Sequence, residues 1–259
     1  MEFSWTALLV ICPLVLLAGF IDAIAGGGGL ITLPAYLAVG LPAQMAGGTN
    51  KFSAFCGTLV STIRFLKSGK VAIWAALCSV GAALIGSALG ARLALWVNPE
   101  ILRWVLVGAL PVIAALVLIR KPGEKADPEV MGIHKKRTLL ISTVIGLLIG
   151  TYDGFFGPGT GTFLILAYTA ICGFDLVTAS GNAKCVNLAS NFAALVVYLI
   201  NGKVLLWLAI PAAACGFVGN WLGAGFAIKG GSKVVRPMLL VVLTLLFGKV
   251  LWDLIKGAL

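Results

Sequence analysis

The sequence predicts an all-α polytopic membrane protein of two homologous halves, with about eight transmembrane helices plus two short broken or re-entrant segments. Three observations predict it. Of the 259 residues, 60% are hydrophobic and only 11% charged, with a mean hydropathy of +1.07. Soluble domains run near about 45–50% apolar and about 25% charged. The second observation is run length. Val71–Leu89 carries no charge and is long enough to cross a hydrocarbon core of about 30 Å. The runs are continuous rather than alternating, which excludes a barrel, and lipid admits only helices or closed barrels. The third observation is an internal repeat. A soluble enzyme, a secreted disulfide module and a disordered tail are excluded together.

The repeat has an offset of 131–133 residues. Gly19-Phe20-Ile21-Asp22 followed by Gly26–Gly29 answers Gly150-Thr151-Tyr152-Asp153 followed by Gly157-Pro158-Gly159-Thr160-Gly161. Thr49-Asn50-Lys51 answers Asn182-Ala183-Lys184, and Gly69-Lys70-Val71 answers Gly202-Lys203-Val204. Gly86 and Gly90 answer Gly219 and Gly223. The chain divides into a first transmembrane repeat over 1–119, a linker over 120–137 and a second repeat over 138–259. The linker holds Pro122, Gly123, Pro128, six basic and three acidic residues, and is expected in the cytoplasm.

Each half reads in the same order. A long helix, at 4–25 and 138–155, ends at the aspartate and glycine cluster. A short apolar piece follows, at 29–40 and 161–172, too short for a full span. Three ordinary spans complete each half, at 50–67, 71–96 and 100–119, and at 182–201, 204–228 and 233–256. Asn98-Pro99-Glu100 supplies a cap, a first-turn proline and an acid at a helix start. Asp175 is placed to cap the approach to the 182–201 helix. Trp5, Trp74, Trp96, Trp104, Trp207 and Trp252 fall near span ends, as interfacial anchors do. The N-terminal run resembles a signal peptide but lacks a basic n-region, and its repeat counterpart marks it as a retained helix.

The net charge is +10, and most basic residues sit in short connections, where they mark the cytoplasmic side; nucleic acid is excluded as a partner. With Lys51 and Lys184 set aside, twelve basic residues fall inside and five outside whether the halves are parallel or inverted. The charge rule thus places the linker inside without choosing. Inverted repeats are the commoner transporter design and are the arrangement expected. All six cysteines lie in apolar segments without metal spacing and read as reduced packing residues. No metal site and no cofactor motif is present. His134 lies in the charged linker.

Paired breaks in equivalent helices point to a transport site near the membrane midplane. Gly28, Gly29, Gly159, Thr160 and Gly161 are expected to free backbone amides at the positive end of the following short helix, which suits an anion. The alternative is close helix packing through small residues, the reading favoured for Gly86, Gly90, Gly219 and Gly223. Lys51 and Lys184, at equivalent positions, would neutralise an anion, with Thr49, Asn50, Asn182 and Asn187 as hydrogen-bond partners. Otherwise they snorkel, or pair with Asp22 and Asp153 to hold the repeats together. Asn187 and Asn191 lie on one helix face, a polar stripe pointing inward. Asp22 and Asp153, intramembrane carboxylates, could relay protons or bind coupling cations, or else cap the breaks or neutralise the lysines.

These residues resemble the sulfite exporter TauE/SafE family, also called the 4-toluene sulfonate uptake permease family, and most nearly its YfcA-like branch. Gly19–Leu30 is similar to the family's opening motif, Thr49-Asn50-Lys51 to its second, and Tyr152–Gly161 with Ala183-Lys184 and Asn187 to the second half. The resemblance implies a bacterial inner-membrane protein that moves small sulfur-containing or organic anions, such as sulfite, sulfoacetate or another sulfonate, often outward and driven by an ion gradient. The expected partners are a small anionic substrate, the lipid bilayer and protons as coupling ion, and a homodimer is compatible with the sequence. A departure is Arg92, answered by Gly225, which puts a symmetric role for that arginine in doubt. An anion channel with the same site is the competing reading. A membrane enzyme would need a nucleophile–base pair, a metal cluster or a cofactor box, and none is found.

Overall fold

A computed structural model describes residues 4–97 and 135–257. The helices run α1 Trp5–Ala25, α2 Gly29–Ala38, α3 Ala43–Lys67, α4 Ile73–Trp96, α5 Lys135–Phe155, α6 Thr160–Cys172, α7 Leu176–Ile200, α8 Leu206–Gly230 and α9 Ser232–Gly257. Among the described residues there is no strand. The series long, short, long, long occurs twice, as α1–α4 and α5–α8. The span expected over 100–119, the helix start at Asn98, Trp104, His134 and nearly all of the linker lie outside the described residues.

Among the described residues five helices, α1, α4, α5, α7 and α8, are long and apolar enough to cross a membrane. α3 has the length, 25 residues, which reaches about 37 Å at 1.5 Å per residue. It is more polar, and it buries Thr49, Asn50, Lys51, Ser53 and Thr58. The outer surface is the reverse: Leu9, Ile85, Leu89, Ile200 and Phe226 are exposed. Apolar outside and polar within is the distribution a hydrocarbon solvent selects. Trp5, Trp74 and Trp96, at the ends of α1 and α4, are also exposed, where indole rings sit best at the headgroup level.

Local chemistry sets the boundaries. Ser4 caps α1 by accepting from the Ala7 amide at 3.3 Å. Asp175 caps α7 by accepting from the Val177 and Thr178 amides at 3.0 and 3.1 Å. α7 therefore starts at Leu176, and α3, behind Pro42 without a side-chain cap, starts at Ala43, both well before the expected positions 182 and 50. Lys51 and Lys184 consequently lie inside their helices rather than at their starts.

Packing is reciprocal between the halves: α1 lies against α8 and α5 against α4, while α3 meets α8 and α7 meets α4. Both tight crossings use the expected glycine pairs. A Cβ on Gly219 or Gly223 would strike the backbone oxygen of Leu16 or Phe20, and one on Gly86 or Gly90 that of Leu147 or Thr151. Contact this close exchanges side-chain bulk for backbone proximity, which drives helix association in lipid. At the centre α3 meets α7. In α7, 72% of the apolar window is buried, against 33–44% in the other four spans, so α7 is the axis of the bundle.

Candidate transport site

The two breaks meet at the middle of the bundle. α1 ends at Gly26, whose φ of 76° is open to glycine at little cost. A Cβ there would collide with the backbone of Gly161. The Thr162 hydroxyl donates to the Ala25 carbonyl at 2.9 Å, so α6 of the second half locks onto the end of α1 of the first. α6 itself starts behind Gly159, with φ 82°.

Asp22 and Asp153 each stand in the last turn of a helix, α1 and α5. The negative end of the macrodipole disfavours a carboxylate there, and each is compensated by a lysine from the other half. Lys51 Nζ lies 2.7 Å from Asp153 Oδ2, and Lys184 Nζ 2.7 Å from Asp22 Oδ2. Burying an ion is costly unless it is paired and hydrogen-bonded. All four residues meet that condition, since Lys51, Asp153 and Lys184 are almost wholly buried and Asp22 only partly exposed. Pairing with the aspartates was one of the readings open from sequence, beside snorkelling and neutralising an anion.

The pairs are braced differently. Asp153 Oδ2 also accepts from the Ser190 hydroxyl at 2.5 Å, and Lys51 donates to Asn191 Oδ1 at 3.0 Å. At the repeat offset, Ser190 and Asn191 correspond to Gly57 and Thr58. Glycine has no hydroxyl to offer Asp22, and Thr58 spends its hydroxyl on the Ala54 carbonyl at 2.8 Å. Asp22 Oδ1 instead accepts from the Gly28 amide at 3.2 Å.

Beside both pairs lies a cavity of about 60 Å³, space for about four to six waters at roughly 10–15 Å³ each. Asp22, Asn50, Lys51, Asp153 and Asn187 line it, together with Gly28 and Gly29 at the start of α2 and Gly159, Thr160 and Gly161 at the start of α6. The Gly28 amide is held by Asp22, the Leu30 amide by the Gly27 carbonyl and the Thr160 amide by the Gly157 carbonyl, so α2 and α6 present to the cavity the positive ends of their dipoles beside the Lys51 ammonium. Asn191, predicted with Asn187 as an inward stripe, is also on the wall.

Three expected residues are elsewhere. Lys184 is fully buried behind Asp22 and off the cavity wall. Thr49 accepts from the Leu205 amide at 3.1 Å, and Asn182 donates to the Thr178 carbonyl at 2.8 Å, both away from the cavity. Thr32, Ser53 and Asn220 line the cavity and were missed. Asn220 had a signal: it is the amide inside the Gly219–Gly223 packing motif, at the position of Ser87 in the first half. Among the described residues no three His, Cys, Asp or Glu side chains gather as a metal site.

A multi-pass helical bundle whose broken helices line a charged cavity is the architecture of a membrane transporter. The chain belongs to the sulfite exporter TauE/SafE family, whose model matches residues 11–250. It is 33% identical over 263 residues to the probable membrane transporter protein YfcA of Escherichia coli strain K12, covering 96% of this chain and 94% of the relative. A probable membrane transporter protein of Haemophilus influenzae is 36% identical over 239 residues, 91% of each chain. YdhB of Bacillus subtilis, also named a probable membrane transporter protein, is 23% identical over 223 residues, 85% of this chain and 88% of the relative. No solved structure matches significantly.

Proposed function

We propose that this transporter carries a small sulfur-containing or organic anion (sulfite, sulfoacetate or another sulfonate) across the bacterial inner membrane by alternating access, in the direction its coupling gradient sets. The observation that carries the reading is Lys51, an ammonium group on the wall of a small cavity that two helix N-termini also face. Lysine and helix N-termini together favour an oxyanion. The 120–137 linker is cytoplasmic in this reading, and rocking of inverted halves about the central α3–α7 contact exposes the cavity to each side in turn.

Charge balance supplies the coupling. Each lysine already has a carboxylate, so the four charged groups cancel. An added anion would leave one uncompensated buried charge, at a cost of several kcal/mol. A proton taken by Asp153 removes that excess and frees Lys51, the lysine on the cavity wall, for the substrate. Release on the far side lets the carboxylate ionise and reclaim its lysine, which expels the anion. A channel would need no such exchange. Liposomes loaded with the protein discriminate the two: a carrier accumulates labelled sulfite against its gradient when a proton gradient is imposed, whereas a channel only equilibrates it.

A further inference from the structure

The crossing of α3 and α8 carries a cation that the transport site does not use. Arg64 stands in the last turn of α3, is half-buried and lies across α8. Its guanidinium carbon is 4.5 Å from the centroid of the Trp221 ring, and its Nη1 donates to the Trp221 carbonyl. Gly225, which answers Arg92 in the repeat, makes the room: a Cβ there would strike the guanidinium group. Among the described residues no carboxylate pairs with Arg64, and the two ion pairs are those beside the central cavity. A guanidinium group has five N–H donors, and the Trp221 carbonyl takes one. A cation held among spanning helices is costly until an anion or water meets it.

The neighbours of Arg64 are cationic on one side and apolar on the other. α3 and α8 run parallel, since Gly57 packs on Gly216 and Asn220, and Arg64 on Trp221 and Gly225. Lys67 follows Arg64 by three residues and Lys229 follows Gly225 by four, so each continues the same helix face toward the end of the bundle. Both lysines are exposed. Ile63, Trp221 and Val218, one turn before Trp221, are exposed apolar side chains. The equivalent crossing of α7 on α4 lacks this arrangement. At the repeat offset Val197 stands for Arg64, Ile200 for Lys67, Ala88 for Trp221 and Trp96 for Lys229. The cationic groove is therefore built at one end only. That end is where α5 begins and the linker finishes, because α4 starts there and runs parallel to α5, with Ser79 on Gly146 and Thr151 on Gly90.

We propose that Arg64, Lys67 and Lys229 hold the headgroup phosphate of an anionic phospholipid, whose acyl chains lie along Ile63, Val218 and Trp221. A guanidinium fork matches two phosphate oxygens, an indole ring sits best at the headgroup level, and basic pockets between spanning helices on the cytoplasmic side suit anionic headgroups. The choice of leaflet rests on the cytoplasmic linker proposed above; the site itself does not. α3 belongs to the first half and α8 to the second, so the lipid bridges the halves at the edge of their contact.

The test is the thermal midpoint of the purified full chain in detergent micelles that carry phosphatidylglycerol, phosphatidylcholine or no lipid. Phosphatidylglycerol is expected to raise the midpoint above phosphatidylcholine, since a ligand that binds only the folded state stabilises it. That difference should vanish in Arg64→Leu and in Lys67→Gln/Lys229→Gln, and persist in Lys136→Gln, an exposed lysine at the same end. The double variant keeps the contact of Arg64 with Trp221, so the test stands even if Arg64→Leu fails to fold. Inorganic phosphate at the same concentration should not reproduce the shift, because it has no chains for the apolar wall. Equal midpoints in the two lipids, or a difference that survives in the double variant, would overturn the proposal. A difference lost equally in Lys136→Gln would mean diffuse attraction to a basic surface and no site, and a phosphate shift as large as the lipid's would reject a lipid as the occupant.

Discussion

Lys51 and Asp153 come from opposite halves of the chain and stand 2.7 Å apart on the wall of the central cavity. The contact joins fold and function. It compensates a carboxylate placed at the wrong end of a helix, ties α3 to α5, and holds a cation beside two helix N-termini.

Removing one partner strands the other. Lys51→Met leaves Asp153 buried without its cation and should cost about 3–5 kcal/mol. The double variant Lys51→Met/Asp153→Asn should recover most of that loss, because both charges are gone. Denaturation of all three proteins in one detergent gives the coupling energy of the cycle. A double variant as unstable as the single one would mean that the pair is not the source of the loss.

Asp153→Asn cannot gain or lose a proton near neutral pH. The variant should still exchange sulfite across liposomes but no longer accumulate it when a proton gradient is imposed. Accumulation equal to that of the wild-type protein would assign Asp153 a purely structural role.

Two glycines of α4 should behave oppositely. A Cβ on Gly90 strikes the Thr151 carbonyl, whereas one on Gly81 meets no atom within 4 Å. Gly90→Ala is expected to lower the thermal midpoint by forcing α4 from α5. Gly81→Ala should be neutral or stabilising by up to about 1 kcal/mol, the helix preference of alanine over glycine. Equal effects would show that the α4–α5 crossing is looser than the structure has it.

Much of this was legible in the sequence because the repeat displays each motif twice. The two breaks, the aspartates before them and Lys51 all line the same small volume, with Lys184 behind Asp22. Pairing between particular lysines and aspartates was not legible, since it depends on how one half docks on the other. The starts of α3 and α7 were misplaced for a local reason. Residues 43–50, Ala-Gln-Met-Ala-Gly-Gly-Thr-Asn, carry little hydropathy and read as a loop. In the fold they are helical because Gly48 packs on the Lys203 carbonyl and Thr49 accepts the Leu205 amide. Asn220 escaped because its glycine neighbours signal packing, which is also true of them.

Orientation is tested at the C-terminus. Inverted halves with the linker inside place residue 259 outside the cytoplasm. A fused reporter after Leu259 should be active only outside, and one that reads cytoplasmic would exclude inversion.

The most direct measurement of the central claim is sulfite counterflow in liposomes. Labelled sulfite should exchange through the wild-type protein, be competed by one or more of sulfate, thiosulfate, sulfoacetate and taurine but not by acetate, and stop in a folded Lys51→Ala variant. Counterflow that persists unchanged in Lys51→Ala would contradict the account, because the cation on the cavity wall would then have no part in holding the anion.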